Sequence, residues 1–333
     1  MAVTGLAAAC DASTLGKLDS YTIQEGVMPY FVTVTGRIPV DKLGMILPHE
    51  HVVTDLRAHD APGFGLVDEA DVVRVMRPQI EAARAAGVTA IIECTPAGVG
   101  RNVLALRALS TAAGFPLVAS AGTYREAYMP SWVREMDDEQ LVDWLRREVN
   151  EGMDGTDIVG GIIKLAVSDT GITALEEKVL RAAGRVGAQF GVTVASHTTA
   201  GRSAVEEADI LGSEGLPPER FVWVHTQAEP DMGYHKEMAA RGCYLEYDGI
   251  GAGADSAADA EQIGQVFAWG YQERVLLSQD AGWYKPGERD GGEQTPYDFL
   301  PKEFLALLRQ KGFSQDDIRL LAETNPKRAF ARG

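Results

Sequence analysis

Gly44-Met-Ile-Leu-Pro-His49-Glu-His51-Val-Val53 is the stretch on which the fold turns. It is a short apolar run that ends in two histidines two residues apart. In an extended strand, residues i and i+2 face the same way, so His49 and His51 present both imidazoles to one point while Glu50 faces the opposite side. Imidazole is the commonest side-chain ligand for zinc-like metals. Alone, the pair is equally a couple of solvent-facing strand residues, and the rest of the chain decides. The same position bears on topology. A doubly wound open sheet would place a glycine-rich phosphate loop after its first strand, and here His-Glu-His stands instead.

Working outward, the first strand is expected at about 44–49. Further strands are expected at 89–95, 116–124, 160–168, 192–197, 221–225, 243–248 and 274–280. Helices alternate with them: 69–86, a second ending at Gly114, then 137–151, 174–190, 203–212, 233–241 and 257–269. Thr173-Ala-Leu-Glu176 gives the helix at 174–190 a capping-box start, and Leu175, Val179, Val186 and Phe190 form one apolar stripe. The strands are mostly continuous apolar runs, as parallel strands covered on both faces are. Eight β/α units without a compositional break predict a (β/α)8 TIM barrel over 36–333. Residues 1–35 read as an irregular N-terminal extension packing on the barrel. The Gly- and Pro-rich segment 282–297 is too long for a turn and reads as a functional loop. Helices at 299–311 and 314–323, then a short final one, close the chain.

The bulk properties bound the function. At 333 residues, 45% hydrophobic and 24% charged, the chain can bury a large core without disulfides. A net charge of −17 excludes nucleic acid and anionic membrane surfaces as partners. The cysteines, Cys10, Cys94 and Cys243, form no CxxC pair, which fits a reducing cytoplasm. Leu6-Ala-Ala-Ala-Cys10 resembles the end of a lipoprotein signal, but residues 1–9 carry no Lys or Arg and the apolar run is short, so export is not expected. No apolar run is long enough to span a membrane. Cys94 sits inside an apolar strand and reads as core, and no GxSxG is present. His59 and His235, in a loop and at a helix start, read as surface residues.

Active sites of such barrels gather at the C-terminal strand ends. Strand one brings His49 and His51 there, strand four Lys164, strand five His197, strand six His225 and strand eight Asp280. Each has an ordinary explanation by itself, but together they converge on one mouth. Four histidines and an aspartate exceed what one catalytic zinc takes; they suit two metals roughly 3.5–4 Å apart. As an ammonium, Lys164 would repel the metals. As an N-carboxylated lysine it is an anionic bridge, and a buried lysine paired with a carboxylate is the alternative.

This ligand set resembles the amidohydrolase superfamily. Leu47–Val53, Gly98-Val-Gly-Arg101-Asn, Gly161-Ile-Ile-Lys164, Ala195-Ser-His197-Thr, Val224-His225-Thr, Leu277-Ser-Gln-Asp280 and Thr324-Asn-Pro-Lys-Arg-Ala-Phe330 are similar to the phosphotriesterase-like family, a likeness covering about 35–330. The resemblance implies that His49, His51 and Asp280 hold the more buried metal and His197 and His225 the more exposed one. Carboxylated Lys164 would bridge them beside a hydroxide whose proton Asp280 accepts. Zinc is the first choice of metal, with Mn, Co and Fe tolerated by the same donors. It implies a homodimer acting on a small-molecule lactone or carboxylic ester, with promiscuous phosphotriester hydrolysis. An N-acyl amide hydrolase, or a non-catalytic metal-binding barrel, is the alternative.

Tyr124 matches the tyrosine that contacts substrate in the family's lactonases. The arginine that those lactonases carry after strand seven is absent from Leu245-Glu-Tyr247-Asp248-Gly-Ile-Gly251, which is closer to the phosphotriesterase-homology branch. Tyr247 is a further candidate contact. Trp283 and Tyr284 are candidates because the segment after strand eight should roof the pocket, and an aromatic mouth suits a hydrophobic ester. Arg101 is either a loop anchor or a partner for an anionic substrate.

Overall fold

Alternating apolar strands and amphipathic helices wind into a (β/α)8 barrel, described for residues 28–251 and 255–333 of the computed structural model. A hairpin of β1 (Tyr30–Thr33) and β2 (Gly36–Pro39) comes first. The barrel strands are β3 (Met45–Val53), β4 (Val88–Glu93), β5 (Leu117–Val118) with β6 (Ser120–Ala121), β7 (Ile162–Ala166), β8 (Val194–His197), β9 (Phe221–Val224), β10 (Tyr244–Tyr247), and β11 (Val275–Leu277) continued by β12 (Gly282–Tyr284). Between them run α1 (Glu69–Ala85), α2 (Val103–Ala113), α3 (Ser131–Arg134), α4 (Asp138–Asn150), α5 (Ala174–Phe190), α6 (Gly201–Ser213), α7 (Met232–Arg241) and α8 (Ser256–Ala268). α9 (Leu305–Gln310), α10 (Gln315–Arg319) and α11 (Asn325–Phe330) close the chain. The capping box of Thr173 and Glu176 is present at the start of α5.

The strands pair in parallel as two arcs, β11-β10-β9-β8-β7-β6 and β12-β3-β4-β5. The arcs meet at both ends. β5 and β6 are one strand interrupted at Ala119, whose carbonyl accepts from Gly161 N at 2.8 Å. At the other seam Asp280 N donates to His49 O at 3.1 Å, and His51 N to Ala281 O at 2.8 Å. Among the described residues no helix is long and apolar enough to cross a membrane.

Three expectations change. Part of the segment expected to be irregular is strand β1, with Tyr30 bridged to Arg332; residues 1–27, including Cys10, lie outside the described residues. The segment 282–297 opens as β12, which pairs with β3 instead of looping away. The closing helices contain π-helical turns at Leu300–Phe304 and Leu320–Thr324.

Side-chain alternation sorts each strand into an inner and an outer face. Ile46, Ala90, Ile92, Val118, Ile162, Ala195, Val222, Val224 and Leu276 fill the barrel, with Phe31 and Phe330 beneath them. Leu47, Ile91, Leu117, Ile163, Val194, Trp223, Leu245 and Leu277 face the helices. This apolar lower barrel leaves only the upper layer for polar residues, and the site is built there.

Candidate metal centre

The pleat decides which side chains reach the mouth. Ile46 points inward on β3, so strict alternation would turn His49 and His51 outward. Leu47 pairs with Ile91 but Glu50 with Glu93, a bulge of one residue that reverses the phase. On β7 and β8, Lys164 and His197 follow inward-facing Ile162 and Ala195 at even spacing. His225 follows inward-facing Val224 and by alternation would turn away, but its backbone is left-handed at φ 63°. Three of the five described non-glycine residues with such φ are His225, Asp280 and Trp283, so backbone strain concentrates at this mouth.

The imidazoles gather. Ring centroids of His49 lie 5.3 Å from His51 and 5.2 Å from His225, and His197 lies 4.3 Å from His225. Ligand atoms of His49, His225 and Asp280 fall within 4.8 Å of one another. Asp248 fixes two of the rings: His49 Nδ1 donates to its Oδ2 at 2.8 Å, and His225 Nδ1 to its Oδ1 at 2.7 Å. His51 Nδ1 donates to Thr95 Oγ1 at 2.7 Å, and that hydroxyl donates to Glu93 at 2.5 Å. These bonds set the tautomer and leave the Nε2 atoms as acceptors, the arrangement by which outer carboxylates orient metal-binding histidines. Tyr124 OH lies 2.9 Å from His197 Nδ1.

Electrostatics agree for two of the rings, while His49, although buried, is pushed up to about 10 by Asp248 and Glu246 and must give up that proton to bind a metal. Burial holds His51 and His197 below the usual imidazole range, with His225 adding to the effect on His197. Neutral rings are what metal ligation requires. Asp248 is buried, yet His225 and His49 hold it well below the ordinary carboxylate range. The Oδ1 of Asp280 is 2.9 Å from His51 Nε2 and 3.8 Å from His49 Nε2, but it is buried without an aligned hydrogen bond. An orphaned carboxylate oxygen facing imidazole nitrogens is the donor set of a divalent cation, and these residues fit one.

Glu50 is not part of the donor set. It turns to the β3–β11 seam, where Oε1 accepts from Ser278 Oγ at 2.8 Å and Gln279 N at 3.1 Å, and Oε2 from Ala281 N at 2.7 Å. These bonds brace the turn that carries Asp280. Glu50→Gln would face a backbone N–H with an amide NH2. It is expected to weaken metal binding and turnover about 10–100-fold with far-UV dichroism unchanged. Titration of metal-free protein with Co2+ checks this, and wild-type affinity would assign Glu50 to the fold alone.

Several candidate substrate contacts prove to be elsewhere. Tyr247 faces the helices, because inward-facing Glu246 and Asp248 flank it, and its hydroxyl bonds His235 Nδ1 at 2.8 Å. Tyr284 turns away from the mouth, and its OH donates to Asp71 on α1 at 2.6 Å. Arg101 is locked in a buried network with Glu148 and Asp154 at 2.6 Å each and has no free face for substrate. His235, expected at the surface, is fully buried. Trp283 does reach the site, its ring 4.9 Å from His51. Sequence reasoning missed the roles of Asp248, Thr95 and Glu93. Asp248 had a signal, since it ends strand seven as the ligand candidates end theirs. Glu246, buried with Oε2 3.3 Å from His49 Nδ1, had none.

A (β/α)8 barrel with this histidine-rich mouth is the framework of a metal-dependent hydrolase, and comparison with known proteins specifies it. Residues 29–330 match the model of the phosphotriesterase family, to which the chain belongs. The phosphotriesterase homology protein of Escherichia coli (strain K12) is 30% identical over 87% of this chain and 99% of its own. The N-acetyltaurine hydrolase of Danio rerio is 27% identical, covering 89% and 96%. A crystal structure of a mutant PTE-like lactonase from Deinococcus radiodurans superposes with a TM-score of 0.83 at 30% identity, covering 90% of this chain and 99% of that one.

Proposed function

We propose that this chain hydrolyses a lactone or carboxylic ester of a small molecule, with phosphotriester hydrolysis as a side activity. One observation carries the reading: four imidazoles and Asp280 converge between the Tyr124 hydroxyl and the Trp283 ring. The similar lactonase structure supports the lactone. In this reading His49, His51 and Asp280 hold one divalent ion, and His197 and His225 a second. Zinc is the first choice. Lys164 is the bridge as N-carboxylysine. It is buried, its Nζ hydrogen-bonds only the Leu165 carbonyl, at 3.5 Å, and lies 6.0 Å from the Tyr124 ring centre, and among the described residues no carboxylate pairs with it. A buried ammonium without a counter-charge is unfavourable, and uptake of CO2 makes it an anion.

Two such ions would supply an acidified water and an electrophile for the scissile group. The residues supply the rest. Asp280 accepts the water's proton. The Tyr124 hydroxyl orients the substrate oxygen. Trp283 walls a cavity of about 510 Å3, with Leu56, Arg57, Lys285 and Pro286, that takes the acyl chain or leaving group. Amide hydrolysis on the same centre is the second reading, favoured by the N-acetyltaurine hydrolase relative. We further propose a cytoplasmic homodimer.

Metal analysis alongside a panel of γ- and δ-lactones, aryl esters, N-acyl amino acids and paraoxon-like triesters tests the reading. Two divalent ions per chain and fastest turnover of a lactone or ester are expected. Turnover confined to N-acyl amino acids would replace the ester reading with the amide one. A folded protein that takes up no metal would remove both.

A further inference from the structure

At the opposite end of the barrel a cavity of about 470 Å3 lies between the β1–β2 hairpin and the starts of the barrel strands. Thr33, Thr35, Arg37, Arg107, Asn150 and Arg332 contribute to its wall. Arg332 ties the end of the chain to β1, exchanging backbone hydrogen bonds with Tyr30 at 2.8 and 2.9 Å. Its guanidinium donates to Val149 O at 3.0 Å and to the Gly160 carbonyl, while Nε is buried without a partner. Carbonyls satisfy hydrogen bonds but do not neutralise charge. Among the described residues no carboxylate pairs with Arg332. Burial lowers its guanidinium to about 10; Tyr30 opposes the shift, and Arg37 and Arg220 add to it.

The rest of the wall does not correct the imbalance. Arg37 lies 4.5 Å over the Tyr30 ring, and among the described residues no carboxylate pairs with it. Arg107 pairs with Asp157 at 2.6 Å, which leaves three guanidiniums against one carboxylate on the wall. This is unusual in a chain of net charge −17, where arginines such as Arg74, Arg125 and Arg181 each hold an acid. Leaving a buried charge unpaired is costly, and guanidinium forks suit carboxylate and phosphate oxygens. The cavity has the size of a small-metabolite site.

We propose that this cavity binds a small molecule through a phosphate or carboxylate group, with Arg37 and Arg332 as its cations, at a site separate from the histidine cluster. Because Arg332 joins the last residues to the first strand, occupancy clamps the two ends of the described chain and is read as stability.

Thermal unfolding is followed in wild type and R37M with inorganic phosphate or acetate, at an ionic strength held constant with chloride. Arg37 is exposed on the hairpin and far from the mouth, so R37M should fold and keep its hydrolytic rate. The expected result is a saturable rise in Tm on the order of 2 °C in wild type, absent in R37M and largely retained in R37K. A larger rise with phosphate assigns a phosphate ligand, and a larger rise with acetate a carboxylate. The proposal falls if neither anion exceeds chloride. It also falls if R37M keeps the full rise, since the anion would then sit elsewhere, for instance among the histidines.

Discussion

Asp280→Asn is expected to lower kcat on the order of 10³-fold while the protein keeps its fold and melting behaviour. The backbone at Asp280 has φ 50°, a left-handed conformation that asparagine adopts as readily as aspartate. The turn is held by bonds that do not involve the Asp280 side chain: Asp280 N to His49 O, and the three to Glu50. The substitution therefore removes one negative charge and one proton acceptor, and little else. Its Oδ1 is the orphaned oxygen facing His51 and His49, so the loss falls on cation binding and on proton acceptance together. Steady-state kinetics with saturating metal separate the two. If kcat recovers at high metal concentration, Asp280 is a ligand only. If it stays low with both ions bound, Asp280 is also the base. Full turnover without added metal would remove it from both roles.

The readings that survive are those that depend on local spacing. His49 and His51 share a face whether or not a bulge precedes them, because the bulge shifts the phase of the strand and leaves the i, i+2 relation intact. Strand-end residues are legible because apolar runs mark where strands stop. Tyr247 was misplaced although the information was present: Asp248 faces inward, so its neighbour must face out. Tyr284 and Arg101 carried no comparable signal. The partner of Tyr284 lies 213 residues away, and Glu148 lies 47 from Arg101, so only the closed barrel brings them together. Asp248 likewise joins His49 from 199 residues away. The ligand candidates can be read from strand ends one at a time, whereas the groups that aim them are defined by contacts between strands.

Those aiming groups include the residue with the largest expected effect on stability. Arg101→Met should destabilise the protein by about 3–5 kcal/mol, the usual result of breaking a buried ion pair by removing one partner. Arg101 meets Glu148 through both Nη atoms, at 2.9 and 2.6 Å, and Asp154 through Nε and Nη2, at 3.0 and 2.6 Å. Asp154 is half-exposed and water can replace the arginine there. Glu148 is buried and has no such recourse. Its two oxygens also accept from Gly122 N at 3.0 Å and Trp144 Nε1 at 2.9 Å, so an uncompensated carboxylate would strain both contacts. Gly122 packs directly on the Lys164 carbonyl, where a Cβ would come within 2.4 Å, and Tyr124 follows two residues later. The damage should therefore reach the mouth, raising KM as Tyr124 loosens as well as lowering Tm by an amount on the order of 10 °C. The double variant R101M/E148Q separates charge from packing. Glutamine can still accept from Gly122 N but carries no charge, so it should recover part of the lost stability. If the double variant melts below R101M, the cost of the substitution lies in the lost hydrogen bonds and packing, not in the orphaned carboxylate.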